Sequence, residues 1–141
     1  LYHLMNMIAE GVFERFSTLK FVWADGCADF LTPFSWRMDT FGRPHLEQTP
    51  WAPQIPSAYL PGHVYFVAGG LDGPGDAEFA GEWFGFTGKD DMVMFGSSYP
   101  HWQMSTLAVP GAYTAEQRDN LCWRNAARLY GIDIPAQLAA Q

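Results

Sequence analysis

DMVMFGSSYPHW, residues 91 to 102, is the stretch that decides the fold. Met92 to Phe95 are consecutive apolar residues with turn residues on both sides, a pattern that predicts a short strand buried on both faces. Gly96 ends this strand, and a polar, aromatic loop follows it. Folds built on parallel sheets bind their ligands at the carboxyl ends of the strands. The loop is therefore predicted to form one wall of any active site.

Two more apolar runs precede this strand in the chain. LKFVWA, residues 19 to 24, ends at Asp25-Gly26, and VYFVA, residues 64 to 68, ends at a pair of glycines. A helix is predicted after each of the three strands, and this alternation is typical of parallel α/β architecture. An open doubly wound sheet and part of a (β/α)8 barrel both fit the pattern.

The residues that follow the strands favour the barrel. No strand is followed by GxGxxG or GxxxxGK[ST], so the motifs that usually indicate a nucleotide-binding fold are missing from these positions. An acid or a hydroxyl instead follows each strand, at Asp25, Asp72 and Ser98. Asp72 is more simply read as a turn residue than as a ligand.

The helices are predicted from apolar residues at helical spacing and from capping residues. Thr32-Pro33 should cap one helix, and Thr114 with Gln117 has the capping-box pattern of another. Residues 43 to 62 contain five prolines and no sustained period, so they should form a long excursion with one helical turn after Ser57. The predicted helices span residues 4 to 16, 33 to about 40 (closed by Gly42), 76 to about 86, 114 to about 130 (ended by Gly131) and 135 to 141. Leu121, Ala126 and Leu129 are expected on or near the inner face of the helix that begins at 114.

Composition and charge exclude several classes of function. The 141 residues are 48% hydrophobic, enough for a folded core, and the net charge is −7. No basic stripe is present to neutralise phosphates, so neither nucleic acid nor an anionic membrane surface is an expected partner. Cys27 and Cys122 fit no paired spacing and are typical of reduced thiols in a cytoplasmic protein.

Five stretches, in the same order along nearly the whole chain, resemble the amidohydrolase-related family of metal-dependent hydrolases and decarboxylases. Within that family they are most similar to the branch of aminocarboxymuconate semialdehyde decarboxylase. Any one stretch alone is a weak signal, whereas the ordered set is specific. The stretches are GVFERFSTLKFVWADG (residues 11 to 26), WRMD (36 to 39), PSAYL (56 to 60), FGSSYPHW (95 to 102) and NAARLYG (125 to 131).

The resemblance implies that residues 1 to 141 are the carboxyl-terminal portion of a TIM-like (β/α)8 barrel, about strands six to eight plus the closing helix. The family's first-strand and fifth-strand histidines have no counterpart in these residues. The remaining strands are therefore expected on another segment or chain, and the assembly is expected to be a homo- or hetero-oligomer.

The resemblance also implies a divalent metal, with zinc preferred over other ions. In the family pattern, the residue before the YPHW sequence is an aspartate that binds the metal and helps deprotonate its water. Ser98 occupies that position in this chain. A neutral hydroxyl is a poorer ligand than a carboxylate and cannot act as a base at neutral pH. The sequence therefore predicts weaker metal binding than is usual in the family.

The other candidate site residues follow from the same resemblance. Asp25 matches a position beside the substrate and is the candidate acid or base, although it could simply cap the turn at Gly26. His101 is the second catalytic candidate, with a structural imidazole as the alternative. Arg37 resembles an arginine that reaches the substrate of a neighbouring subunit, and a salt bridge on the helix surface to Asp39 or a nearby acid is the alternative. Two aromatic residues complete the predicted substrate-binding set: Tyr99 and Trp102.

Two functions of different classes follow. The first is part of a hydrolase or carboxy-lyase that acts on a small carboxylated or cyclic organic substrate. The second is a catalytically degenerate barrel part that binds a ligand or supports a catalytic partner. Ser98 favours the second function, whereas Asp25 and His101 favour the first.

Overall fold

The structure is a computed structural model, and it describes residues 1–24, 30–42, 47–68, 90–97, 99–100 and 113–135. The chain divides into two compact units, Leu1–Val67 and Ala68–Gln141. Helices and parallel strands occur together, which confirms the predicted α/β class. The closed barrel stays a prediction. The helix predicted over residues 76 to 86 lies outside the described residues, as does nearly all of the one predicted over 135 to 141.

The first unit begins with two short helices, α1 (Tyr2–Ala9) and α2 (Val12–Arg15), so the single helix predicted over residues 4 to 16 is wrong. They are separated at Gly11, whose φ of 67° lies in the left-handed region that favours glycine. A Cβ at this position would lie 2.8 Å from the backbone oxygen of Trp51. The close approach of a distant segment therefore requires glycine here, and the helix ends before it.

Two parallel strands form the sheet of this unit. Strand β1 spans Phe21–Ala24 and strand β2 spans Val64–Ala68, which confirms both predicted strands, although β1 begins two residues after the apolar run. Phe21 lies opposite Val64 in the register, and Ala24 lies opposite Val67. Because the pairing is parallel, the carboxyl ends of both strands lie at the same edge of the sheet.

Helix α3, Leu31–Gly42, lies between these strands in the sequence. It ends at Gly42 as predicted but begins earlier, so Thr32 is inside the first turn and is not the cap. Thr32 is only 2% exposed, and its hydroxyl has no hydrogen-bond partner among the described residues. Pro33 is compatible with this start because the first turn of a helix needs no N–H from it. Leu31, Ser35 and Met38 form the buried face.

The proline-rich excursion contains the one helical turn that was predicted. This is a 3-10 turn at Pro56–Tyr59, which begins just before the predicted position and includes Ser57. The N–H of Ser57 donates to Asp39 Oδ1 at 2.8 Å, which ties the turn to α3. The excursion also contributes core residues, because Ala52, Tyr59 and Leu60 are buried. It is therefore an integral layer of the first unit.

The second unit contains strand β3, Val93–Phe95, one residue shorter than the predicted strand. Val93 and Met94 point to opposite faces and are both buried, which confirms the two-sided burial inferred from the apolar run. The strand continues into the loop of Ser97, Tyr99 and Pro100, where the Tyr99–Pro100 peptide bond is cis.

The closing helix has three parts: helix α4 (Ala115–Asp119), a π-helical turn (Asn120–Arg124) and helix α5 (Asn125–Tyr130). The capping box is confirmed, since Gln117 N–H donates to Thr114 Oγ1 at 3.1 Å and Thr114 N–H donates to Gln117 Oε1 at 3.0 Å. Gly131 ends the helix with a φ of 63°, also as predicted.

The π-helical turn was not predicted, and it changes which residues face inward. Leu121 is buried as expected, but Ala126 and Leu129 are only partly buried. Asn120 and Asn125 are buried in their place. They are five residues apart, which is the hydrogen-bond spacing of a π-helix. The inner face of this helix is therefore more polar than the apolar pattern indicates.

Candidate functional site

The strand-end site predicted from the sequence is only partly within the described residues. Asp25, Ser98, His101 and Trp102 lie outside them. The structure describes strand β1, which precedes Asp25, together with its parallel neighbour β2. Ala24, the last residue of β1, is the register partner of Val67. In the sequence, Asp25 therefore comes directly after the end of β1, which is paired with the parallel strand β2.

Tyr99 is the one predicted strand-end residue that the structure describes. Its side chain is 78% exposed, and its N–H donates to Ser97 Oγ at 3.4 Å. The phenol is therefore open to solvent and accessible to a ligand. Its role in substrate binding stays a prediction.

Arg37 lies on α3, and the salt bridge to Asp39, one of the alternatives for its role, is not formed among the described residues. The Asp39 carboxylate instead accepts the N–H of Ser57. The Arg37 guanidinium carbon lies 3.8 Å from the centroid of the exposed Phe41 ring. This is a close cation–π contact, one helical turn along α3. Whether Arg37 reaches a neighbouring subunit stays a prediction.

Arg37 also lines a cavity of about 390 Å³ within the first unit. The walls come from α1, α3 and the excursion between Thr49 and Tyr59. Most of the lining side chains are apolar, including Met5, Ile8, Phe34 and Met38. An apolar cleft with a few polar groups at its border is the usual form of a small-molecule site.

A hydrogen-bonded network borders this cavity at Tyr59 and Gln54, neither of which is among the site residues predicted from the sequence. Tyr59 Oη donates to Glu14 Oε1 at 2.8 Å, and Gln54 Nε2 donates to the same oxygen at 3.0 Å. These two bonds, that of Gln54 first, lower the pKa of the Glu14 carboxyl. Burial is the main reason that the pKa of Tyr59 is raised. The network therefore holds a charged Glu14 against a neutral phenol.

A second polar cluster, also missed from the sequence, lies in the second unit beside β3. Asn125 Nδ2 donates to the backbone oxygens of Asp90 at 2.6 Å and Val93 at 2.8 Å. Gln117 Nε2 donates to Asp90 Oδ2 at 3.3 Å. Burial raises the pKa of Asp90, and burial together with the Asp90 charge raises the pKa of Tyr113 to about 12.

The sequence signal for these polar residues is their position beside apolar residues in two of the family-like motifs. Tyr59 lies in PSAYL and Asn125 lies in NAARLYG. A polar side chain that is buried in the core needs a hydrogen-bond partner, but the local sequence does not show which residue provides it. In both cases the partner lies more than 30 residues away, since Tyr59 bonds to Glu14 and Asn125 bonds to Val93.

The described residues do not fit a metal centre. In the ranges that the structure describes, no group of three or more His, Cys, Asp or Glu side chains is arranged to hold a metal ion. The ligand candidates from the sequence, Ser98 with Asp25 and His101, lie outside those ranges. Among the helices described, none is both long and apolar enough to cross a membrane.

Comparison with known proteins gives one result at the level of the family. No curated protein matches the chain. The family model described as Amidohydrolase matches residues 2–132, which is most of the 141 residues. The match includes α1 at one end, Gly131 at the other, and all the strands between them. The chain therefore belongs to the Amidohydrolase family.

Proposed function

We propose that this chain is part of a hydrolase or decarboxylase that acts on a small carboxylated or cyclic organic substrate. The observation that carries the proposal is the parallel pairing of β1 and β2, in a chain that matches the Amidohydrolase family over residues 2–132. In parallel α/β folds, the residues just after the strands border the bound ligand. Asp25 follows Ala24 directly, so it is the first residue assigned to the site.

Asp25 is proposed to act as the acid or base of the reaction. A carboxylate near the substrate can take a proton from an attacking water, or deliver one to a carbanion after loss of carbon dioxide. His101 is the second proton-transfer group, because an imidazole changes charge near neutral pH. Tyr99 and Trp102 are proposed to hold the apolar part of the substrate. Membership of the aminocarboxymuconate semialdehyde decarboxylase branch is part of the proposal.

A divalent metal, zinc in preference to others, is proposed for the assembled protein because family members usually use one. Ser98 stands where the sequence pattern of the family has a carboxylate, so the metal is expected to be held weakly. A bound divalent ion would polarise the substrate and activate water. The described residues supply no ligand set for it, and the proposed proton transfers by Asp25 and His101 do not depend on its position.

The architecture of the assembly is also proposed. A TIM-like barrel needs eight strands, and in the described residues β1 pairs only with β2, which leaves one edge of β1 without a partner there. Strands supplied by another segment or chain would cover such an edge. We propose a cytoplasmic oligomer in which this chain provides strands six to eight.

The function is tested by Asp25→Asn in the protein that carries this chain, assayed for carbon dioxide release from aromatic carboxylates and for hydrolysis of cyclic amides and lactones. Loss of a general acid or base should lower the rate about 100-fold or more while the melting temperature stays within a few degrees. Asp29→Asn is the matched control, since it removes a nearby carboxylate from the same segment. If Asp25→Asn lowers stability and leaves the rate unchanged, Asp25 only caps the turn.

Ser98 supports a second candidate function, a barrel that has lost its metal and now binds a ligand or supports a catalytic partner. Metal content per chain, measured before and after Ser98→Asp under identical dialysis, distinguishes the two. The added carboxylate should raise zinc retention if the other ligands are present. Unchanged retention would refute the reading of Ser98 as a metal position and would favour the non-catalytic function.

A further inference from the structure

We propose that Asp90 and Asn125 bind one monovalent cation, sodium or potassium, between the segment before β3 and the closing helix. The inference goes beyond the proposed function, because it uses none of the residues that follow the strands. It rests on two buried oxygens without hydrogen-bond partners, on a carboxylate without an ion-pair partner among the described residues, and on the contact between the two residues.

The amide of Asn125 lies against Asp90. Its Nδ2 donates one hydrogen to the backbone oxygen of Asp90 at 2.6 Å and the other to that of Val93 at 2.8 Å. Carbonyl oxygens only accept hydrogen bonds, so these two bonds fix the orientation of the amide. Asn125 Oδ1 is therefore held within about 5 Å of the Asp90 backbone oxygen, since a single carbon joins the two atoms of the amide.

Each of the two residues has a buried oxygen that no hydrogen bond satisfies. Among the described residues, neither Asn125 Oδ1 nor Asp90 Oδ1 has a partner, although the Asn125 side chain is only 1% exposed. Asp90 Oδ2 accepts from Gln117 Nε2 at 3.3 Å, so only one oxygen of that carboxylate is engaged. Buried acceptors without a partner are costly, and they indicate that a water molecule or an ion occupies the space beside them.

The charge of this cluster favours a cation over water. In the part of the chain that the structure describes, the arginine ion pairs belong to Asp119 and Asp91, and none is made by Asp90. Burial is the main cause that raises the pKa of Asp90, and the nearby charges of Asp91 and Glu116 raise it further. A partly buried carboxylate in negative surroundings is stabilised more by a positive ion than by a neutral molecule.

The ligand atoms indicate a hard ion with a single charge. Carboxylate and amide oxygens are ligands of hard cations, whereas softer metals prefer sulfur or imidazole. Calcium takes roughly six to eight oxygens, usually from several carboxylates, and only the Asp90 carboxylate contributes here. One sodium or potassium ion neutralises that charge. Such a site needs no group of three acidic, histidine or cysteine side chains, and the described residues contain none.

The test compares the melting temperature of the full chain at pH 7 in equal concentrations of sodium, potassium and tetramethylammonium chloride. Tetramethylammonium is too bulky for a buried site and is the reference. At about ten times the dissociation constant, a bound ion multiplies the ratio of folded to unfolded chain about elevenfold. The melting temperature should therefore be about 4–6 °C higher in the salt of the preferred ion. Equal melting temperatures in the three salts would overturn the proposal.

Two variants test the location. Asp90→Asn removes the charge and keeps the shape, so it should abolish the difference between the salts. In tetramethylammonium chloride it should be the more stable protein, because the unmodified chain then carries an uncompensated charge. Asp91→Asn is the matched control, since it removes the adjacent carboxylate, which is exposed and paired with Arg128. The difference between the salts should remain in this control.

Equal losses of the salt effect in both variants would show that the salts act on the overall charge of the chain, and would overturn the proposal. A salt effect that survives in Asp90→Asn would overturn it too. NMR relaxation of the preferred ion, sodium-23 or potassium-39, measures binding directly. Relaxation should be faster with the unmodified chain than with the same concentration of Asp90→Asn, and equal relaxation would contradict binding at Asp90.

Discussion

Replacing Asn125 by alanine should destabilise the second unit by about 2–4 kcal/mol. The Asn125 side chain is 1% exposed and donates to two backbone oxygens that precede or belong to β3. Its removal leaves the buried oxygen of Val93 without this donor, at a cost of about 1–3 kcal/mol. The oxygen of Asp90 is only partly buried, so the loss of its bond adds about 1 kcal/mol.

Urea unfolding followed by tryptophan fluorescence measures the total change in the free energy of unfolding. Hydrogen exchange of the peptide covering residues 90 to 97 measures where the change occurs, and exchange there should become faster. Asn6→Ala is the matched control, because Asn6 is an exposed helical asparagine of α1. Both substitutions change helix propensity equally, so the difference between them reports the two lost hydrogen bonds.

If the free energy of unfolding of Asn125→Ala lies within about 0.5 kcal/mol of that of Asn6→Ala, the usual range for a surface substitution, the Asn125 hydrogen bonds do not anchor β3. Unchanged hydrogen exchange in residues 90 to 97 would contradict the same role. The result matters for function because β3 leads directly into the loop that contains Ser98. A strand that is less firmly anchored would hold that loop less precisely.

Two further predictions concern backbone geometry and pH. Gly11→Ala should destabilise the first unit by clearly more than Gly62→Ala. Both residues have a positive φ, which costs about 1–2 kcal/mol for alanine, but only a Cβ at Gly11 would meet the backbone of Trp51. Equal decreases in melting temperature for the two variants would contradict this prediction. Asp90→Asn should raise stability at pH 7, because burial raises the folded-state pKa of Asp90 above its ordinary 3.8. The contribution of Asp90 to stability is thus fully present below pH 3.8 and is lost as the pH rises through the raised pKa of the folded state. The free energy of unfolding of Asp90→Asn, measured across this pH range, should therefore depend less on pH than that of the unmodified chain.

The local chemistry of the chain was sufficient for its main elements. Consecutive apolar residues between turn residues predicted β1, β2 and β3, because short, fully apolar strands need no distant information to be recognised. The capping box at Thr114 and the end at Gly131 were equally predictable, since their hydrogen bonds and dihedral angles involve neighbouring residues. The ordered motifs also indicated the family, which the match over residues 2–132 confirms.

Contacts between distant segments decided the rest. The break at Gly11 depends on Trp51, and the buried position of Thr32 depends on the packing of α3, so neither could be read from local sequence. The cavity has walls from three segments, and the network at its border joins Glu14 to Gln54 and Tyr59 across 40 and 45 positions. A sequence pattern reports which residues can be buried or charged. Only the folded chain decides which of them meet, because hydrogen bonds and packing act over a few ångströms of space and not over sequence distance.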